Sequence, residues 1–163
     1  ENFKSNGVHT DYVEPVTGQK SGTAHIILAE GDNSIVVVKG ANDLVTPEYV
    51  EKSADFLKTC DLIMIQQEIP EETVEYVADL CNKIEVPLLL NPAPARKISQ
   101  NVIVGASYLT PNEHEADVLF NGMKPSEALK QYPDKVIITE GAKSKSSIRQ
   151  EQAILLTPHS ERL

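Results

Sequence analysis

Hydrophobic and polar residues change their pattern along the chain near residue 40. Before it, runs rich in β-branched residues predict three short strands, over residues 8–13, 23–29 and 35–38. The polar residues 30–33 join the last two runs and are typical of a turn between antiparallel strands. The first 40 residues therefore predict a β-meander or hairpin layer.

After residue 40, amphipathic segments alternate with uninterrupted apolar runs. Thr46 followed by Pro47 predicts the beginning of a helix that ends at Asp61, and Pro70 opens the next one. The other predicted elements are strands over residues 62–65, 86–90, 108–110 and 136–139, a helical turn around Val102, a helix from Pro111 to Asn121 and another over residues 126–132. Strands that are buried on both faces and separated by helices indicate parallel βαβ units, so the predicted class is α/β.

Polar or glycine-containing sequence follows each of the four predicted strands after residue 40. These exits are residues 66–68, 91–96, 111–115 and 139–141. In open α/β sheets, ligands bind beyond the carboxyl ends of the strands, where helix N-termini expose unpaired amides. Each exit alone could be an ordinary cap or turn, but the four together predict one shared crevice.

Two of these exits carry residues with the chemistry of a sugar and nucleotide site. The Glu68 carboxylate follows an apolar strand and can accept hydrogen bonds from sugar hydroxyls. Asn112 and Glu115 lie three residues apart at a helix N-terminus, where an amide beside a carboxylate suits a phosphate and a hydrated Mg²⁺. Asn112 could also serve only as a helix cap. Arg96 either pairs with a surface carboxylate or contacts a phosphate.

Charge and cysteine content limit which classes of partner and which cellular compartment we expect. The chain has 163 residues, 15 Lys and Arg, 24 Asp and Glu, and a net charge of −9. A nucleic acid or an anionic membrane surface needs a positive patch, so small molecules or proteins are the expected partners. The apolar runs are too short to cross a bilayer. Cys60 and Cys81 have no metal-ligand spacing, which indicates reduced thiols in the cytoplasm.

Six segments of the chain resemble those of bacterial ribokinases and occur in the same order. They are Ser21-Gly22-Thr23-Ala24, Gly40-Ala41-Asn42, Gln67-Glu68-Ile69-Pro70, Asn91-Pro92-Ala93-Pro94-Ala95-Arg96, Thr110-Pro111-Asn112-Glu113-His114-Glu115-Ala116 and Ile138-Thr139-Glu140-Gly141. The resemblance covers roughly residues 1–141. It implies a ribokinase-like three-layer α/β sandwich with a parallel central sheet and a small β-lid.

The resemblance also implies an activity and a sugar site. The activity is ATP-dependent phosphorylation of D-ribose at its 5-hydroxyl, giving ribose 5-phosphate, with Mg²⁺ and a monovalent cation such as K⁺ as activator. Glu68 looks like the residue that hydrogen-bonds ribose, and Ala24, Ile26 and Val37 look like apolar lid residues over the sugar. In relatives the lid also forms the dimer interface, so a homodimer through the lid is expected.

The nucleotide site is implied by the same resemblance. Asn112, Thr139, Glu140 and Gly141 match positions that bind ATP, and Glu115 matches the position that holds Mg²⁺ through water. The family's Gly-Ala-Gly-Asp motif, whose Asp is the general base, does not occur in the sequence, and neither does its sugar-binding Gly-Gly-Lys-Gly segment. We therefore expect no catalytic residue and no K⁺ site in this chain, which would be truncated at both ends and inactive or weakly active.

Three regions and three functions follow from these expectations. Residues 1–40 would be mainly β-lid strands, residues 41–141 an incomplete sugar-kinase core, and residues 142–163 a divergent tail that is net positive where the rest is net negative. The tail would come from a frame-shifted or altered reading that loses the family's β-hairpin, or would be a genuine terminal strand at residues 153–156. Besides ribokinase, the alternatives are a kinase of the same superfamily for another sugar or nucleoside, and a non-catalytic binding fragment that dimerises through its lid.

Overall fold

The computed structural model describes residues 2–29, 32–140, 144–149 and 152–156. Helices and strands alternate in these ranges from residue 47 to residue 140, as predicted. In chain order the elements are α1 (Asn2–Ser5), β1 (Thr23–Ala29), β2 (Asp32–Val38), a 3₁₀ helix (Gly40–Leu44), α2 (Pro47–Glu51), α3 (Ala54–Leu57), β3 (Ile63–Gln66), α4 (Glu71–Ile84), β4 (Leu88–Asn91), α5 (Gln100–Gly105), β5 (Tyr108–Leu109), α6 (Glu113–Leu119), α7 (Pro125–Gln131), β6 (Ile137–Glu140), β7 (Ser144–Arg149) and β8 (Gln152–Leu156).

Strands β3, β4 and β5 form a parallel sheet in that order. Leu90 of β4 lies opposite Ile65 of β3 and Leu109 of β5. Parallel bridges between Leu109 and Val136, and between Asn112 and Thr139, continue this arrangement to β6. The prediction of parallel βαβ units is confirmed, and the carboxyl ends of all four strands meet at one edge.

Helices α4 to α7 and one face of the sheet enclose the hydrophobic core. In α4, Val74, Val77, Ala78 and Cys81 recur at helical spacing and are all buried. They share a core cluster with alternate strand residues, including Leu88, Leu90, Leu109 and Ile138. Helix α4 begins after Pro70, as predicted, and ends at Ile84, where Glu85 follows in the left-handed conformation with φ of 58°.

The opposite face of the sheet is open in the described residues. Met64 is 68% exposed and Tyr108 is 40% exposed, while Leu89 between them is half-buried. This differs from the prediction that the strands are buried on both faces. The described helices cover the other face, and an apolar run alone does not reveal which of a strand's two faces is covered.

Strands β1 and β2 form an antiparallel hairpin, in register from Thr23 opposite Val38 to Ala29 opposite Asp32. The predicted pairing is confirmed, while residues 30 and 31 of the predicted turn lie outside the described residues. The third strand, predicted over residues 8–13, is wrong. That segment is irregular, with a turn at residues 11–12, because it has no partner strand in the described residues and its β-branched Val8 and Val13 stay exposed.

The first predicted helix is shorter than expected and interrupted. Thr46 caps α2 by accepting a hydrogen bond from the backbone of Tyr49, as predicted. Helix α2 then ends at Glu51, and α3 runs from Ala54 only to Leu57, because Ser53 takes a non-helical conformation between them. The predicted helix end at Asp61 is therefore four residues too late.

Strands β6, β7 and β8 form an antiparallel sheet at the end of the described residues. Ile138 lies opposite Ser146, and Ser146 lies opposite Leu155. The terminal strand predicted at residues 153–156 is confirmed by β8, and the expected loss of a β-hairpin after residue 141 is wrong. Among the described helices, none has both the length and the apolar character of a membrane span.

The two cysteine thiols differ in burial, and we predict that they differ in reactivity. Cys81 is 2% exposed, and burial raises the pKa of its thiol from 9.0 to about 11, whereas Cys60 is half-buried. Because the thiolate is the reactive form, iodoacetamide at pH 8 should label Cys60 and spare Cys81. Raising the pH through 9 should leave Cys81 unlabelled, since its thiol ionises only as the pH approaches 11.

Mass spectrometry of the labelled peptides checks this prediction, with Cys60→Ser as the control. The Cys60→Ser chain should take up no label when folded and one label in guanidinium. Equal labelling of both cysteines in the folded chain would contradict the burial of α4.

Candidate functional site

The predicted strand exits lie together at the carboxyl edge of the parallel sheet. Gln66 at the end of β3 lies opposite Asn91 at the end of β4. Asn112, at the beginning of α6, forms a parallel bridge with Thr139 of β6. Two cavities open at this edge, one toward the β1–β2 hairpin and one over the ends of β3 to β6.

The first cavity, called here the lid cavity, has a volume of about 610 Å³. It brings together Glu68, Ala24 and Val37, three of the four residues predicted to hold a sugar. Ala24 and Val37 lie directly opposite each other on β1 and β2. Glu68 is half-buried, and its carboxylate makes no hydrogen bond or ion pair with any described residue. The carboxylate is therefore available to ligand hydroxyls.

Ile26, the fourth predicted sugar residue, does not line the lid cavity. It lies two residues farther along β1 than Ala24, opposite Ile35, and is 62% exposed. The side-chain alternation of a strand places Ala24 and Ile26 on the same face, but only Ala24 is close enough to the base of the hairpin to reach the cavity.

Close backbone contacts fix the base of the hairpin beside the lid cavity. Gly40 has φ of +54°, and a Cβ atom there would lie 2.4 Å from the carbonyl oxygen of Lys20. The N–H of Ala41 donates to the same oxygen over 2.9 Å. Only glycine fits this conformation and this contact. Asn42, which follows, also lines the cavity. Sequence reasoning did not assign it a role, although it lies in the matched Gly40-Ala41-Asn42 segment.

The second cavity, called here the edge cavity, has a volume of about 770 Å³. It brings together Asn112, Glu115 and Thr139, which were predicted to lie around the nucleotide and Mg²⁺. Glu140 is the last residue of β6, and Gly141 lies outside the described residues. Three further polar residues line this cavity, namely Gln66, Asn91 and Thr110. Gln66 and Asn91 lie in strand exits that were predicted to form the crevice, whereas Thr110 was assigned to a strand and given no role. Thr110 directly follows β5, and this position at the carboxyl end of a strand is the signal that could have identified it.

Asn112 and Glu115 form a capping box at the beginning of α6. Asn112 Oδ1 accepts from the Glu115 N–H over 2.7 Å, while Glu115 Oε2 accepts from the Asn112 N–H over 2.8 Å. Asn112 Nδ2 also donates to Glu115 Oε1 over 2.9 Å. Asn112 therefore does cap the helix, which was the alternative to a ligand role in the sequence analysis. It does not exclude a ligand role, since a carboxylate has about four acceptor positions and two remain for water.

We predict that Asn112→Ala destabilises the folded chain. The substitution removes both side-chain hydrogen bonds to Glu115, one of which is the cap of α6, so the free energy of unfolding should fall by about 1–2 kcal/mol. Asn112→Ser keeps an acceptor oxygen and should recover most of the loss. Urea unfolding followed by circular dichroism measures both. An Asn112→Ala chain as stable as Asn112→Ser would contradict the capping role.

The described residues contain no group of three or more His, Cys, Asp or Glu side chains that could hold a metal ion. Glu115 is the acidic side chain of the edge cavity. A single carboxylate beside an amide fits Mg²⁺ that keeps its own waters, since this ion usually takes few protein ligands.

Comparisons with known proteins agree with this architecture. Ribokinase of Bacillus subtilis is 59% identical over 140 residues, which are 86% of this chain and 48% of that protein. Ribokinase of Lactococcus lactis is 39% identical over 87% of this chain and 47% of its own length. The structure of Arabidopsis thaliana ribokinase complexed with ribose and ATP matches 95% of this chain and 55% of that one, with a TM-score of 0.80 and 27% identity.

The chain thus spans about half the length of the curated relatives that it matches. The family model for the pfkB family of carbohydrate kinases matches residues 1–159 and so extends past residue 141, where the matched motifs end. A match over nearly the whole chain shows that it belongs to the pfkB carbohydrate kinase family.

Proposed function

We propose that the chain is the ribose- and ATP-binding part of a ribokinase, which transfers the terminal phosphoryl group of ATP to the 5-hydroxyl of D-ribose. The observation that carries this proposal is that Glu68, whose carboxylate has no partner among the described residues, lines the lid cavity at the same sheet edge as the edge cavity. The 59% identity to a ribokinase favours ribose among the possible sugars.

In this proposal the lid cavity binds the sugar. Glu68 accepts hydrogen bonds from ribose hydroxyls, and Ala24 and Val37 cover the sugar with apolar surface. Excluding water at this position suppresses ATP hydrolysis and strengthens electrostatic interactions in the site.

The edge cavity binds the phosphates of ATP in the same proposal. Asn112 and Thr139 line the cavity beside the N-terminus of α6, and Glu115 would hold the water shell of Mg²⁺. When bound, Mg²⁺ supplies positive charge that offsets the charge of the phosphates. Glu140 and Gly141 would continue the nucleotide site beyond Thr139, and K⁺ would act as activator at a site that these residues do not form.

Turnover by the chain itself is expected to be weak. Phosphoryl transfer depends on positioning and charge stabilisation, and a general base typically adds about 10²- to 10⁴-fold. The sequence contains no Gly-Ala-Gly-Asp motif to supply that base. Binding is therefore the property by which this chain is best tested.

A homodimer through the lid is also proposed. The hairpin exposes apolar side chains on both faces, with Leu28 at 78%, Ile27 at 55% and Val36 at 51%. Exposed apolar side chains concentrated on one hairpin are typical of an interaction site. Free thiols at Cys60 and Cys81 agree with a cytoplasmic location.

Titration calorimetry with D-ribose, 2-deoxyribose, fructose and adenosine tests the function, and sedimentation velocity on the same samples tests the dimer. We expect D-ribose to bind most tightly, and a coupled ADP-release assay to show at most slow turnover. Tighter binding of adenosine or another sugar would support a different kinase of the superfamily. If the chain binds none of these ligands but forms a dimer whose fraction rises with concentration, a non-catalytic fragment would be supported.

A further inference from the structure

Arg96 lies in the loop after β4 and reaches back to the loop that carries Glu68. Its Nε donates to Gln67 Oε1 over 2.5 Å, and its Nη2 donates to the carbonyl oxygen of Ile69 over 3.3 Å. It forms no ion pair with a carboxylate in the described part of the chain, so the surface pairing considered from sequence is not found there. Arg96 instead holds both neighbours of Glu68.

Gln67 adds a third hydrogen bond between the same two loops. Its backbone N–H donates to the carbonyl oxygen of Ala93 over 2.8 Å. Its side chain is fully buried, and Nε2 has no hydrogen-bond partner among the described residues. A buried, unpaired donor lowers stability, whereas Gln67 Oε1 is paired, since it accepts from Arg96 Nε. The unpaired Nε2 of Gln67 therefore calls for an explanation.

We propose that Arg96 and Gln67 are positioning residues that fix the Glu68 carboxylate at the wall of the lid cavity. Neither side chain lines the lid cavity or the edge cavity, so both would act through Glu68 rather than on a ligand. Fixing the backbone on both sides of Glu68 lowers the entropy that this loop loses when a sugar binds. The inference rests on the proposed function, since the sugar is taken to be ribose.

The planar guanidinium explains why arginine occupies this position. Two of its nitrogens face two acceptors, Gln67 Oε1 and the Ile69 carbonyl oxygen, in a fixed geometry. A lysine ammonium is a compact charge on a flexible chain and holds such a pair of acceptors less rigidly. Arg96→Lys should therefore keep the charge and lose part of the positioning.

Calorimetry with D-ribose and with a non-hydrolysable ATP analogue separates positioning from general destabilisation. Arg96→Ala should weaken ribose binding about tenfold and change nucleotide binding less than about twofold, because the loss acts only on the position of the Glu68 carboxylate. The ribose affinity of Arg96→Lys should lie between that of Arg96→Ala and that of the unchanged chain. Lys97→Ala, at the exposed neighbouring residue, is the matched control and should bind both ligands as the unchanged chain does.

A double-mutant cycle tests whether the effect passes through Glu68. In a Glu68→Ala chain, adding Arg96→Ala should weaken ribose binding no further, because residues that act as a unit are non-additive. Gln67→Leu, which removes the acceptor of Arg96 Nε, should also bind ribose more weakly than the unchanged chain. Unchanged ribose affinity in Arg96→Ala, or full additivity with Glu68→Ala, would overturn the proposal.

Amide hydrogen exchange keeps the proposal testable if the unchanged chain binds no ribose. That result alone would count against the proposed function and not against the positioning role. Exchange at the Gln67 amide, which is bonded to Ala93, should then be about tenfold faster in Arg96→Ala than in Lys97→Ala, since local opening sets the exchange rate. Equal exchange in the two variants would overturn the positioning role.

Discussion

Glu68→Ala is expected to weaken D-ribose binding by about 10²-fold or more. Each hydrogen bond between a carboxylate and a neutral donor contributes about 1.5–3 kcal/mol, and the carboxylate has two oxygens available in the lid cavity. Glu68→Gln keeps one acceptor oxygen without the charge, so its affinity should fall between. Titration calorimetry with D-ribose measures all three chains.

The matched control is Glu75→Ala, at an exposed carboxylate in the middle of α4 that lines neither cavity. It should bind ribose as tightly as the unchanged chain. Nucleotide affinity should stay the same in Glu68→Ala, because Asn112 and Thr139 line the separate edge cavity. Equal loss of ribose affinity in Glu68→Ala and Glu75→Ala would argue against a specific role of Glu68.

Leu90→Ala is expected to lower the free energy of unfolding by about 3 kcal/mol. Leu90 is fully buried in the middle strand of the parallel sheet, between Ile65 and Leu109. Truncating a leucine in such a position removes buried apolar surface and leaves a cavity, which typically costs about 2–5 kcal/mol. Urea unfolding followed by circular dichroism gives the value.

Leu89→Ala, one residue earlier in the same strand, provides the comparison. Leu89 points to the open face of the sheet and is only half-buried, so its truncation should cost about 1 kcal/mol or less. Similar losses at Leu89 and Leu90 would mean that both faces of the sheet are covered, contrary to the structure of this chain.

Elements with clear local signals, such as a proline at the beginning of a helix and a regular apolar stripe, were predicted correctly. Helix α4 begins after Pro70, as predicted, and carries an apolar stripe long enough to show a clear period. The segment over residues 8–13 shows the limit of such signals. Its β-branched residues favour a strand, but a strand also needs a partner, and the described residues supply none.

In the candidate site, too, contacts between residues near each other in the sequence were predictable, and contacts between distant segments were not. Asn112 and Glu115 lie within one helical turn, so their spacing alone predicted that they would meet. The contacts of Arg96 with Gln67 and Ile69 span 29 and 27 residues along the chain. They depend on how two strand exits pack together, which periodicity does not encode.

Placement of the lid residues was only partly predictable. The alternation of β1 puts Ala24 and Ile26 on one face, and the resemblance to ribokinases assigned both to the sugar. The close approach of Gly40 to Lys20 at the base of the hairpin determines how far the hairpin extends over the cavity. That geometry leaves Ile26 outside the cavity.

A crystal structure of the chain with D-ribose and a non-hydrolysable ATP analogue tests the central claim most directly. The account predicts ribose hydroxyls within hydrogen-bonding distance of the Glu68 carboxylate, about 2.5–3.0 Å, and phosphates beside Asn112 and Thr139. Ribose bound away from Glu68, or a nucleotide bound away from the carboxyl edge of the sheet, would contradict it.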